Sequence, residues 1–169
     1  MSWNDDLEKA FNEQITAEFA SSYEYLALAA WLEKRSLPGM AHWMQQQADE
    51  ERAHALKLYQ FVLDRDGTVT LGSIAAPEAG LDSPLDVFER VLAHERTITT
   101  RINDLYSLVT DQRDFASLPL LDWFVNEQVE EEATILQIVD DLRLAGREGH
   151  ALLMIDRELG SRTARAESG

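Results

Sequence analysis

The chain has 169 residues, no cysteine, and 31 acidic against 15 basic side chains, for a net charge of −16. That length suits one domain with a substantial core, the lack of cysteine removes disulfides, thiolate nucleophiles and Cys-based zinc sites, and the acidity argues against nucleic acid as a partner while leaving cations and basic proteins open. The opening "MSWNDDLEKAFNEQ" has no basic start followed by an apolar run, and no window nears the ~18 apolar residues of a membrane span, so a cytoplasmic protein with neither export signal nor membrane contact is expected.

From about Ser2 to Lys34 there is no Gly or Pro, and Leu7, Phe11, Ile15, Phe19, Leu26, Ala29 and Leu32 mark a stripe at helical spacing. "SLPGM" breaks this first helix, with Ser36 as candidate cap and Pro38 in the first turn of the next. The second helix runs to about Arg65 and ends at "DRDG", where Gly67 suits a C-terminal cap. "TVTLGSIAAPEAGLDS", from Thr68 to Ser83, shows no helical period and reads as a long connection. Ser83 before Pro84 restarts a helix that continues to about Thr110. Pro119 fits the first turn of a fourth helix reaching about Ala145, and Gly146 and Gly149 bracket a turn before a short final helix, Ala151 to about Leu159. Residues 1–160 form one expected domain, and the tail 161–169 is expected to be frayed and flexible. Four helices of about 28–33 residues, each roughly 40–50 Å long, with a tight join in each half and one long crossover between, predict an all-α four-helix bundle whose second and third helices run parallel.

Polar residues interrupt the inward line of every long helix. The first reads Leu7, Phe11, Gln14, Glu18, Ser22, Tyr25, Ala29, Leu32, and the second Met40, Met44, Gln47, Glu51, His54, Leu58, Phe61. The third reads Phe88, Val91, Glu95, Ile98, Ile102, Leu105, and the fourth Leu121, Phe124, Gln128, Glu131, Ile135, Ile138, Leu142. A lone buried Glu or His is as readily a satisfied core residue as a ligand. Four converging carboxylates with no Lys or Arg on their seams are different, because an isolated buried carboxylate costs several kcal/mol. Bound cations are the simplest relief, and a carboxylate-rich set with one imidazole suits iron or manganese better than zinc or copper.

With Glu18, Glu95 and Glu51-x-x-His54 ("EERAH") in place, the chain resembles the ferritin-like di-iron carboxylate proteins, in which two helices each bring a Glu and the other two a Glu-x-x-His. The fourth helix departs from that pattern: "NEQVEEE" carries Gln128-x-x-Glu131, as non-haem ferritins do, where bacterioferritins keep a second His. Bacterioferritins also place a haem-ligating Met after the first-motif glutamate. Arg52 stands there, so no haem is expected. The likeness runs from "NEQITAEFASSYEYLA" through "AHERTITTRIND" to "LAGREGHALLMIDREL" and is specific for a bacterial-type non-haem ferritin.

That resemblance implies one iron held by Glu18, Glu51 and His54 and a second by Glu51, Glu95 and Glu131, with Glu51 bridging and Gln128 alongside. Tyr25 matches the family's ferroxidase-centre tyrosine; a core tyrosine with a bonded hydroxyl is the other reading. Glu50, Glu127 and Glu130, one step off their seams, match a third iron site and equally fit an acidic helix face in water. Trp123 reads as packing rather than a redox relay, and His42, His94 and His150 as surface or packing residues. The implied activity is a ferroxidase that oxidises Fe(II) with dioxygen or hydrogen peroxide and stores it as ferric oxide mineral in a homo-oligomeric shell of 24 subunits, the fifth helix lining a symmetry axis. The alternative is a di-iron, peroxide-reducing oxidoreductase without mineral storage.

Overall fold

The computed structural model describes residues 3–164. Five helices, α1 (Asp5–Glu33), α2 (Pro38–Asp64), α3 (Pro84–Asp111), α4 (Leu118–Ala145) and α5 (Gly149–Gly160), make up the fold, with no strand among the described residues. α1 packs on α2 and on α3, α3 on α4, and α5 on α2 and α4. The four-helix bundle, the crossover and the short fifth helix expected from the sequence are all present.

Local chemistry sets the boundaries. Asn4 caps α1 by accepting the Asp6 amide at 2.8 Å, so the helix starts at Asp5; a start at Ser2 falls outside the described residues. Ser83 and Asp86 form a reciprocal capping box at α3, as the Ser-Pro signal promised. One expected cap is corrected and a second is refined. Ser36 does not cap α2: it takes a left-handed turn conformation (φ 60°) and Leu37 occupies the cap position with no side-chain bond. At the other end of α2 the left-handed residue is Asp66 (φ 57°), and Gly67, the next residue, takes part in the cap by donating its amide to the Val62 carbonyl at 2.9 Å. Aspartate tolerates that conformation better than most side chains, so the glycine was not needed for it.

The crossover is laced to α1. The Thr68 amide donates to Glu8 Oε2 (3.0 Å), the Thr70 amide to Asn12 Oδ1 (2.8 Å) and the Gly72 amide to Thr16 Oγ1 (3.0 Å). The partners advance along α1 as the crossover advances, so the chain returns to the end of the bundle where α2 began and α3 starts parallel to α2. Phe19 and Leu26, placed on the apolar stripe by spacing, turn toward this crossover instead of the centre: Phe19 is half-buried and Leu26 exposed.

α2 receives its missing cap from α5. Asp156 Oδ1 accepts the Met40 amide at 2.8 Å, and the helices touch so closely that a Cβ on Gly39 would lie 1.7 Å from the Asp156 carbonyl oxygen. Just past α5, Arg162 bonds back onto α2, which anchors the first residues of the segment expected to be frayed; positions 165–169 of that segment lie outside the described residues. The core divides into two apolar clusters, one around Tyr25, Leu32, Met44, Phe88 and Val139, the other around Phe11, Leu58, Ile102 and Phe124. A polar layer lies between them. No helix among the described residues is long and apolar enough to cross a membrane.

Candidate metal centre

Every seam residue expected at mid-helix is buried: Glu18 and Tyr25 from α1, Glu51 and His54 from α2, Glu95 from α3, Gln128 and Glu131 from α4. The helical alternation of three and four steps therefore predicted the interior face correctly, apart from Phe61, which is only half-buried against Trp3 and Phe11.

Three atoms define the centre of the layer. His54 Nδ1 lies 3.5 Å from Glu51 Oε2 and 4.0 Å from Glu18 Oε2, and none of the three has a hydrogen-bond partner among the described residues. Their candidate ligand atoms lie within 4.8 Å of one another. A second group shares His54 and adds Glu127 and Glu131. With the carboxylates ionised, acceptors converge here without donors, which is what a hard cation needs and what hydrogen bonding alone would not produce.

Amide and hydroxyl donors hold several of the other carboxylate oxygens. Gln14 Nε2 donates to Glu18 Oε1 at 2.8 Å, and Gln47 Nε2 to Glu131 Oε2 at 2.7 Å and Glu51 Oε1 at 3.2 Å. Glu95 is secured at both oxygens, by the Tyr25 hydroxyl at 2.5 Å and by Gln128 Nε2 at 3.1 Å. Glu95, which the resemblance assigns to the second ion, stands outside both three-residue groups. Of the off-seam glutamates, Glu127 joins His54 and Glu131. Glu50 turns to Arg162 at 2.8 Å, and Glu130 is exposed on α4.

Burial and mutual repulsion act on the acids together. Burial first, then the charges of Glu95, Glu18 and Glu131, push Glu51 well above the usual carboxylate range. Glu131 rises to about 8, through burial and then the charges of Glu95 and Glu50, against the opposing Gln47 bond. Glu95 is raised by burial although Tyr25 and Gln128 pull it down, and Tyr25 is itself raised by burial and by Glu95. Without a cation the layer thus lowers its charge by holding protons.

Around this core, Trp123 meets the His54 ring edge-on at 5.3 Å and carries Lys57 Nζ 3.9 Å over its own face. His94 sits beside Tyr25 and shares a 2.7 Å hydrogen bond with Ser21; burial lowers its pKa. His42 meets the Arg162 carbonyl and His150 is exposed. Sequence reading missed the arginines. Arg162 and Arg101 approach the layer through Gln47 and Gln14, and the one available signal was a glutamine four residues before a glutamate on both α1 and α2.

A crossover bundle with a buried carboxylate and imidazole layer is the architecture of the ferritin-like proteins. The Ferritin-like domain model matches residues 8–145, and the chain belongs to that family. Its curated relatives include bacterial non-heme ferritins, as the sequence resemblance indicated: that of Bacteroides fragilis (strain 638R) is 38% identical over 159 residues, covering 94% of this chain and 99% of the relative. That of Staphylococcus epidermidis (strain RP62A) is 37% identical over 158 residues, covering 94% and 95%. Among solved structures, an engineered closed form of the Archaeoglobus fulgidus ferritin superposes with a TM-score of 0.95 at 42% identity, over 97% of this chain and 100% of that one. An open pore ferritin from the same archaeon gives 0.94 at 42%, over 96% and 99%.

Proposed function

We propose that this chain is a cytoplasmic iron-storage ferritin whose buried layer is a ferroxidase centre, working within a hollow homo-oligomeric shell of 24 subunits. The observation that carries the reading is the meeting of Glu18 Oε2, Glu51 Oε2 and His54 Nδ1, buried and without hydrogen-bond donors, in a chain related throughout to non-heme ferritins.

Ferrous iron is the substrate. Glu18, Glu51 and His54 hold one ion; Glu51, Glu95 and Glu131, with Gln128 alongside, serve the second, and Glu127 stands next to them in the group it forms with His54 and Glu131. Glu50 and Glu130 are the remaining candidates for a third position. Each ferrous ion gives up one electron; dioxygen takes the pair with two protons and leaves as hydrogen peroxide, or peroxide takes it with two protons and becomes water. A carboxylate-rich surround favours the more highly charged ferric product. Tyr25 keeps Glu95 oriented through its hydroxyl, and the apolar clusters above and below exclude bulk water from the layer. Ferric ions leaving the layer enter the shell cavity and accumulate there as hydrous oxide. No haem takes part.

The test is anaerobic loading of the iron-free protein with ferrous iron, then mixing with oxygen while ultraviolet and visible absorbance is followed, in wild type and in Glu51→Ala/His54→Ala. The expected result is rapid ferric formation that continues beyond the pair of ions the site holds, with the fast phase lost in the double variant. Saturation at the pair, with rapid peroxide turnover, would replace storage by the peroxide-reducing enzyme; no catalysed oxidation would overturn both.

A further inference from the structure

Two arginines distant in sequence reach the carboxylate layer by the same kind of route. Arg162, two residues beyond α5, donates from Nη1 to the Trp43 carbonyl (3.0 Å) and to Gln47 Oε1 (3.2 Å), and from Nη2 to Glu50 Oε1 (2.8 Å). Its guanidinium lies 4.6 Å from the centre of the Trp43 ring. On the far side of Gln47, Nε2 donates to Glu131 and Glu51. Arg101 of α3 repeats the arrangement at Gln14, Nε to Oε1 at 3.3 Å, with Gln14 Nε2 donating to Glu18. Each glutamine stands four residues before its glutamate, one turn away on the same face.

The chemistry of the three groups gives this chain a direction. Guanidinium only donates, an ionised carboxylate only accepts, and an amide does one at each end. A glutamine lying among carboxylates alone has nothing to hold its oxygen. With an arginine behind it and the carboxylates ionised, as a bound cation would hold them, a flipped amide would set NH2 against guanidinium and oxygen against carboxylate, losing both bonds at once. The arginine therefore orients the amide, and the amide anchors one oxygen of each glutamate. The opposite oxygens, Glu18 Oε2 and Glu51 Oε2, are the ones left facing His54 without a donor.

We propose that Arg162, acting through Gln47, is a positioning residue for the cation-holding carboxylates Glu51 and Glu131, and that Arg101 serves Glu18 through Gln14 in the same way. The inference rests on the cation-site reading above. Arg162 is the stronger of the two: its side chain is 17% exposed and held at three further points, whereas Arg101 is exposed. Because Arg162 follows directly after α5, the seating of that helix and the geometry of the layer are linked.

The test is titration of cobaltous chloride into the full-length, iron-free protein, read by calorimetry and by the visible d–d bands of the bound ion. Groups that orient metal ligands typically change affinity by 10–100-fold, so Arg162→Leu is expected to weaken cobalt binding by about tenfold and alter its bands, with Arg162→Lys recovering part of the loss. Gln47→Met, which leaves Arg162 bonded to Trp43 and Glu50, is expected to weaken binding similarly, and this arm stands if Arg162→Leu does not fold. In the Gln47→Met background, Arg162→Leu should add nothing. Wild-type affinity and bands in Gln47→Met, or an Arg162 effect of equal size with and without Gln47, would overturn the relay while leaving the metal site intact. A wild-type protein that takes up no cobalt would overturn the site reading and the relay together.

Discussion

Glu131 shows how single residues in this protein trade protons for charge. Its folded pKa of about 8 lies above the ordinary 4.5, so between those values the folded chain holds a proton the unfolded chain has released. The stability that Glu131 contributes to the cation-free protein is therefore greatest at low pH, falls as pH rises from about 4.5 to about 8, and levels off above; Glu51, raised by burial and neighbouring charges, acts in the same sense. Chemical denaturation of iron-free protein across that range should show the decline, and Glu131→Gln should make it shallower, leaving the part that Glu51 contributes. By the same linkage, cation uptake at neutral pH should release protons, fewer as pH passes 8. Titration calorimetry in buffers of different ionisation enthalpy measures that release. Tyr25→Phe removes the donor to Glu95 Oε1 and leaves a buried acceptor short of a partner, so it should lower the stability of the iron-free protein by about 1–3 kcal/mol.

The short fifth helix matters more to the bundle than its length implies. Asp156 supplies α2 with the N-terminal acceptor that neither Ser36 nor Leu37 provides. Asp156→Ala should therefore cost about 0.5–2 kcal/mol, the range for a lost helix cap. Gly39→Ala should be worse, since its Cβ would strike backbone at 1.7 Å and Gly160 already lies against the Gly39 Cα. α5 would have to move away, taking Arg162 with it. Thermal melting should show a larger loss for Gly39→Ala than for Asp156→Ala, and limited proteolysis should cut the C-terminal segment faster in both.

The whole molecule exposes apolar surface that a single subunit leaves uncovered. Tyr23 and Leu26 of α1 and Leu71 and Ile74 of the crossover are 40–59% exposed and border one cleft of about 340 Å³; Leu153 and Met154 of α5 are exposed as well. In the proposed shell, copies of this chain cover these faces. Replacing Leu26 and Leu71 together by Glu should leave helix content unchanged and shift the protein to smaller species in sedimentation velocity, with the acidity of the chain adding to the repulsion.

Much of this was determined by local pattern. The alternation of three and four steps placed Glu18, Glu51, His54, Glu95, Gln128 and Glu131 inside, because a helix repeats every 3.6 residues whatever surrounds it, and Ser83 before Pro84 marked a helix start because the capping box closes within four residues. The same rules misplaced Leu26 and Ser36, where the crossover and the α5 carboxylate met the needs that local signals had assigned elsewhere, and at the end of α2 Asp66 took the left-handed turn beside Gly67. Periodicity could say that four carboxylates converge. Which oxygen each one presents was decided only in three dimensions: Tyr25 reaches Glu95 across 70 positions, Gln47 reaches Glu131 across 84 and Arg162 reaches Gln47 across 115. A hydrogen bond depends on distance in space, and no sequence spacing encodes a contact between helices whose neighbours are chosen by the packing of the whole bundle.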